Sequence, residues 1–149
     1  MASDPEQGGR KRVLVVEDDP DFSSVVRDFL EARGFSVTSF ANGAEALRAV
    51  MDADYDVIVC DLVMPRMAGD MFYHAIRCVK PHLCERFIFI TGHAESAKVK
   101  EFLAQVSELV LKKPFHLEDL CATIQQLFCD LEDKTRRLDS PAKLPRSVS

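Results

Sequence analysis

The chain has 149 residues, 47% of them hydrophobic, and a formal net charge of −5. This length supports one hydrophobic core of ordinary size and is too short for two domains that each have a core of that size. The negative net charge and the scattered basic residues argue against direct binding to nucleic acid, and without a long apolar run we expect no membrane span and a cytoplasmic protein.

The two ends of the chain differ in composition from the middle. Residues 1–10 are polar and include two glycines, and residues 131–149 combine charges, serines and two prolines with few apolar side chains. We therefore predict a folded domain over residues 11–130 between two disordered segments. The C-terminal tail is too short to form an output domain of useful size.

The chain has five cysteines, an odd number, and no two of them form a C-x-x-C pair. They are Cys60, Cys78, Cys84, Cys121 and Cys129. This spacing suits neither a disulfide framework nor a zinc site. We predict reduced thiols in or near the core.

Short apolar runs rich in β-branched residues alternate with segments of helical period along the folded region. The predicted strands cover residues 12–17, 35–40, 56–60, 87–91 and 108–111. The first, third and fourth runs are almost continuously apolar, which is typical of strands buried on both faces of a sheet.

Three of the intervening segments place apolar residues on one helical face. These faces comprise Phe22, Val25, Val26, Phe29 and Leu30, then Val99, Phe102, Leu103 and Val106, and finally Leu117, Leu120, Cys121, Ile124, Leu127 and Phe128. Five repeats of strand and helix predict a parallel sheet with right-handed crossovers and helices on both faces, which is a doubly wound α/β domain. Such domains bind ligands beyond the carboxyl ends of the strands, so we expect the chemistry there.

Polar groups stand at the ends of four predicted strands. They are Glu17, Asp18 and Asp19 after the first strand, Asp61 after the third, Thr91 at the end of the fourth and Lys113 after the fifth. Carboxylates that share one edge repel each other unless a cation is supplied, so the cluster predicts a bound metal. Oxygen ligands with room for water favour Mg²⁺.

Asp61 is the candidate nucleophile toward phosphorus, because it stands where a buried strand meets solvent. By itself it would more simply be an aspartate that caps the following turn. Thr91 by itself would be an ordinary strand residue, and Lys113 a solvated charge. Together, Thr91 and Lys113 offer a hydroxyl donor and a cation to phosphoryl oxygens, which favours the chemical interpretation.

Over about residues 11–130 the chain resembles the receiver domain of two-component response regulators. The resemblance rests on four motifs in order, namely the acidic pair in "VVEDD", Asp61 before "LVMP", Thr91 in "FIFITGH" and Lys113 in "KKPF". It implies a flavodoxin-like sheet with the strand order 2-1-3-4-5.

The same resemblance implies a signalling module rather than an enzyme. Asp61 would accept a phosphoryl group from a histidine kinase or its phosphotransfer domain, and Thr91 and Lys113 would contact that group. Phosphorylation would shift the fourth and fifth strand-helix units and change the surface offered to an unknown downstream protein. The fourth helix, fifth strand and fifth helix would form a possible homodimer surface.

The resemblance also divides the acids after the first strand. Mg²⁺ would bind Asp18, Asp61 and the backbone carbonyl of Val63, and Glu17 would reach the metal through water. The remaining acid, Asp19, precedes a proline that holds it out of helical conformation. We predict that Asp19 accepts hydrogen bonds from first-turn amides as the N-cap of the first helix.

Two further features of the sequence bear on its resemblance to receivers. Receivers commonly carry Tyr or Phe at the position of Val110, so the route by which activation spreads stays open. The stretch 86–115 is similar to receivers fused to the C-terminus of hybrid sensor kinases. The chain is therefore either a single-domain regulator or a piece of a larger kinase.

Two alternative functions fit the same predicted fold. A phosphatase of the haloacid dehalogenase type also uses an aspartate nucleophile and Mg²⁺, but it needs a second acid two residues later, where Val63 stands. A pseudo-receiver that only binds other proteins would not need the acidic pair, Asp61, Thr91 and Lys113 together.

Overall fold

Strands and helices alternate along the part of the chain that the structure, a computed structural model, describes, which is residues 9–64, 66–106 and 108–138. In chain order the elements are β1 (Arg12–Val16), α1 (Pro20–Ala32), β2 (Ser36–Phe40), α2 (Gly43–Asp52), β3 (Val57–Asp61), α3 (Gly69–Val79), a 3₁₀ helix (Pro81–Arg86), β4 (Phe87–Thr91), α4 (Ala97–Gln105), β5 (Leu109–Lys112) and α5 (Leu117–Leu138). The strand boundaries differ from the predicted ones by no more than one residue.

The strands form one parallel sheet in the order β2-β1-β3-β4-β5. This order confirms the predicted doubly wound fold. The order reverses at β1, which pairs with β2 on one side and β3 on the other. A crevice therefore opens at the carboxyl ends of β1 and β3, where Glu17 and Asp61 stand.

Side chains of the central strands alternate between two apolar clusters. Val13 and Val15 of β1 pack in the cluster with α1 and α5, whereas Leu14 and Val16 pack in the cluster with α2, α3 and α4. β1, β3 and β4 are covered on both faces, which explains their nearly continuous apolar sequences. Burial of one such large side chain contributes about 1.5–3 kcal/mol.

The predicted apolar face of α1 is wrong at one position. Val26 and Leu30 are buried, but the side chain of Val25 is 53% exposed. Val25 lies one residue, or about 100° of helical rotation, from Val26, which carries it off the buried face.

α5 continues through Leu138, so the predicted disorder is wrong for residues 131–138. The charged residues that led to that prediction make contacts that a helix allows, since Lys134 pairs with Glu85 and Arg136 pairs with Asp133. Basic residues in the last turn also favour a helix C-terminus. The predicted disorder of residues 1–8 and 139–149 lies outside the described residues. Neither α5 nor any other described helix is both long and apolar enough to cross a membrane.

All five cysteines are free thiols, as predicted, but two of them lie on the surface. Cys60 and Cys84 are buried, Cys121 is partly buried, and Cys78 and Cys129 are exposed. The prediction that the thiols lie in or near the core is therefore wrong for Cys78 and Cys129, which occupy the outer faces of their helices.

Candidate functional site

Two buried carboxylates and one lysine meet at the carboxyl edge of the sheet. The Nζ atom of Lys113 donates hydrogen bonds to Glu17 Oε1 at 3.0 Å and to Asp61 Oδ2 at 3.1 Å. Glu17 is only 2% exposed and Asp61 only 5% exposed. Buried carboxylates are costly unless a positive charge is paired with them, and the lysine supplies that charge.

The charges of this group perturb each other. Burial raises the pKa of Glu17 to about 7, and the nearby Asp61 acts in the same direction, while the hydrogen bond from Lys113 opposes them. Burial alone would lower the pKa of Lys113, but its hydrogen bonds and the charges of both acids raise it. The lysine is thus held in its charged form beside the acids.

The acidic residues at this edge fit a hard metal ion. Glu17, Asp18 and Asp61 each offer a carboxylate oxygen, and these oxygens lie within 4.8 Å of one another. Asp18 is exposed, whereas the other two are buried, so one side of the cluster opens to solvent. An all-oxygen set with an open side suits an ion that keeps several of its waters, as Mg²⁺ does.

Both carboxylate oxygens of Asp61 accept hydrogen bonds. Its Oδ1 atom accepts a hydrogen bond from the Val63 backbone amide at 3.0 Å, and its Oδ2 atom accepts the one from Lys113. The loop after β3 closes behind it, because the Gly69 amide donates to the Leu62 carbonyl at 3.2 Å. The carboxylate is therefore oriented before any ligand arrives, and the Val63 side chain is 43% exposed beside it.

Thr91 ends β4 next to β3 and is fully buried. Its Oγ1 atom accepts a hydrogen bond from the His93 amide at 2.9 Å, and its carbonyl accepts one from the Lys113 amide at 2.7 Å. The Lys113–Pro114 peptide bond is cis. Thr91 and Lys113 thus stand on adjacent chain segments at the edge that carries Asp61, where the sequence predicted them.

Asp19 caps α1, as predicted. Its Oδ1 atom accepts hydrogen bonds from the amides of Asp21 at 3.1 Å and Phe22 at 3.4 Å, with Pro20 in the first turn. The Asp19 amide also donates to Glu17 Oε2 at 3.1 Å, a contact that the sequence did not predict. Asp19 therefore has two functions, since its side chain caps the helix and its backbone orients Glu17.

Sequence reasoning missed one residue of the site. The Nζ atom of Lys113 lies 4.7 Å from the centre of the Phe22 ring, and Phe22 contacts Phe115 edge to face at 5.9 Å. A ring face below an ammonium group attracts it. The only signal in the sequence was the helical spacing of Phe22, which indicates core packing and not a contact with the lysine.

Val110 of β5 packs, partly buried, against an aromatic cluster. The rings of Tyr73 and Phe102 lie 5.5 Å and 5.3 Å from the ring of Phe89, two residues before Thr91 in β4. The Tyr73 hydroxyl donates to the Glu108 carboxylate, and burial together with this contact raises the pKa of Tyr73. The space beside Val110 is therefore lined by rings from α3, β4 and α4.

The sheet order and the groups at its carboxyl edge define a receiver-type signalling domain of the doubly wound α/β class. In agreement, the sequence model of the response regulator receiver domain matches residues 13–125, and the chain belongs to this family. It is a receiver module of two-component phosphorelay signal transduction. This membership decides against the haloacid dehalogenase alternative.

Relatives of two sizes share this domain. The chain is 36% identical over 117 residues to the response regulator receiver protein CpdR of Brucella abortus, a match that covers 78% of this chain and 96% of CpdR. It is 33% identical over 121 residues to the sensor kinase CckA of the same organism, but that match covers 80% of this chain and 13% of the kinase.

A solved structure extends the likeness to three dimensions. The receiver domain of the sensor histidine kinase PA1611 from Pseudomonas aeruginosa is 27% identical, with a TM-score of 0.71 over 80% of this chain and 98% of that one. That structure has a magnesium ion coordinated in its active-site cleft.

Proposed function

We propose that the chain accepts a phosphoryl group on Asp61 from the phosphohistidine of a histidine kinase or its phosphotransfer domain, with Mg²⁺ bound by the adjacent acids. The observation that carries the proposal is the pair of hydrogen bonds from Lys113 to Asp61 and Glu17. They hold a cation beside a buried, oriented carboxylate at the solvent edge of the sheet. The magnesium ion in the PA1611 receiver supports the choice of metal.

In the transfer step a carboxylate oxygen of Asp61 attacks phosphorus. A P–O bond forms while the P–N bond breaks, and the imidazole leaves with the electron pair of that bond. Lys113 neutralises phosphoryl oxygens as they arrive, and the Thr91 hydroxyl donates to one of them. The buried site also orients the nucleophile in advance.

Asp18, Asp61 and the Val63 carbonyl would hold Mg²⁺ directly, and Glu17 would hold it through water. When bound, the ion supplies further positive charge to the phosphoryl oxygens. The donor chemistry supports this assignment, because every ligand is an oxygen atom and one side of the cluster is open. The new phosphoryl charge would draw Thr91 and Lys113 toward Asp61 and so shift β4, β5 and the helices that follow them.

The surface of α4, β5 and α5 is the proposed site for a downstream protein or a second copy of the chain. A cavity at the end of β5 and the start of α5 is lined by Leu111, Lys112, Pro114, Phe115, His116 and Asp119. Because this surface adjoins Lys113, a movement of the lysine would change its shape. Sedimentation velocity with and without phosphorylation tests whether the change favours a dimer.

The deciding experiment is incubation with acetyl phosphate and Mg²⁺, followed by intact-mass measurement. We expect the wild type to gain one phosphoryl group and Asp61→Asn to gain none. Asp21→Asn, which removes an exposed acid in the first turn of α1, is the matched control and should behave as the wild type. No phosphorylation of the wild type would leave the pseudo-receiver interpretation. Equal phosphorylation of Asp61→Asn would mean that another residue accepts the group, and it would refute the assignment of Asp61.

A further inference from the structure

A cleft of about 710 Å³ lies at the end of the sheet opposite the candidate site. One wall is the C-terminal half of α5, which the sequence predicted to be disordered beyond residue 130. The other wall comes from residues that precede strands, including Lys11 before β1, Phe35 before β2 and Arg86 before β4. The volume lies within the range of ~300–1,000 Å³ that is usual for ligand sites.

The floor of this cleft is apolar. Phe35, Phe128 and Leu131 line it, and Phe128 and Leu131 are only partly buried against the core. They continue the apolar face by which the first half of α5 packs on the sheet, but here the face borders open space. Partly exposed apolar surface of this kind is a candidate for protein contacts.

The rim of the cleft is basic. Among the described residues no carboxylate lies within 4.0 Å of the charged groups of Lys11, Arg33 or Arg86, whereas some other cations of the chain are paired with carboxylates. Lys11 lies over the Phe128 ring at 5.4 Å, and Arg86 donates to the Asp56 carbonyl at 3.0 Å. These contacts fix the cations in place without neutralising them, in a chain of net charge −5.

We propose that this cleft binds an acidic segment of a partner protein, in which an apolar side chain fills the floor between carboxylates that pair with the rim. A peptide fits better than a polyphosphate or an anionic membrane. The apolar floor matches a side chain, Glu132 on the rim repels dense negative charge, and the chain as a whole has a net charge of −5. The proposal is independent of phosphoryl transfer to Asp61.

The test uses the full chain and three fluorescein-labelled peptides, EEFLEE, EELLEE and the control EESSEE, in fluorescence anisotropy. Arg33→Gln should weaken binding of EEFLEE or EELLEE by about fivefold, the effect of one partly exposed ion pair. Arg48→Gln removes the same charge from an exposed site on α2 and should leave binding unchanged.

A second pair of variants tests the floor. Leu131→Ser should weaken binding of the apolar peptides, whereas Leu138→Ser, at a 76% exposed position beyond the cleft, should not. Thermal melts establish that each variant is folded. Equal binding of EESSEE, equal loss in Arg48→Gln, no binding of either apolar peptide, or tighter binding of a single-stranded oligonucleotide or of phosphatidylserine vesicles would overturn the proposal.

Discussion

Gly69, the first residue of α3, leaves no room for a side chain beside the backbone of Asp61. A Cβ atom at Gly69 would lie 2.5 Å from the Asp61 carbonyl oxygen and 2.8 Å from the Leu62 Cα. Ordinary contact begins at 3.4 Å, so Gly69→Ala must separate the two segments by about 0.9 Å. Both neighbours are backbone atoms, and neither can turn aside as a flexible side chain would.

Two quantities should change in Gly69→Ala. Overpacking of this kind costs about 1–3 kcal/mol in the free energy of unfolding. A displacement near 1 Å at a reacting group can lower the rate by about 10²-fold. We therefore expect a lower urea midpoint and much slower phosphorylation by acetyl phosphate, with Mg²⁺ and protein concentrations held constant.

Gly92→Ala is the matched control, because it makes the same change at the same edge of the sheet. Its Cβ atom would meet only the Lys113 side chain, at 3.8 Å, which is ordinary contact. Urea unfolding and the time course of intact mass compare the two variants. Equal stability and equal rates in Gly69→Ala and Gly92→Ala would refute the argument that Gly69 fixes the position of Asp61.

Three more results are expected at and near the site. Asp18→Asn should weaken Mg²⁺ binding in a chemical-shift titration by at least ~10-fold, because the loss of even an outer-shell partner of a metal costs that much affinity. Asp19→Asn should retain both the Mg²⁺ affinity and the helix cap, because asparagine also serves as an N-cap. Lys113→Gln should lower the free energy of unfolding in urea by about 3 kcal/mol, because two buried carboxylates lose their cation, and Mg²⁺ should restore part of it. Cys78 should react with a thiol reagent in the native state, and Cys60, whose pKa burial raises, only after unfolding, as followed by mass spectrometry.

Each of these results has a contrary outcome. A larger loss of Mg²⁺ affinity in Asp19→Asn than in Asp18→Asn would move the metal pair one residue along the chain. Equal destabilisation by Lys112→Gln, an exposed neighbour, would mean that Lys113 acts only through the net charge. Modification of Cys60 in the folded protein at the rate of Cys78 would contradict its burial.

The sheet and the positions of the site residues followed from the sequence because both depend on local patterns. A continuously apolar run fixes where a buried strand ends, and parallel strands bring those ends to one edge. Asp61 and Thr91 needed no further information. The cap at Asp19 was predictable for the same reason, since its partners are the next few amides along the chain.

The contacts that join distant segments were not predictable. Lys113 contacts Glu17 and the Phe22 ring because α1 packs near the end of β5. The spacing of residues in the sequence does not predict that packing. The length of α5 was missed because composition alone indicated disorder, while the pairing of Lys134 with Glu85 requires the folded surface.

Because Lys113 follows both carboxylates in the chain, it is the last member of the site to be synthesised. It follows Asp61 by 52 residues and Glu17 by 96. At ~5–20 residues per second, the ribosome adds the lysine about 3 to 10 s after Asp61. A nascent chain that ends before β5 contains both carboxylates without the cation that offsets their repulsion. Lys113, which directly follows the last strand to be made, therefore supplies the charge that stabilises this edge, and a product truncated before it lacks a stable site.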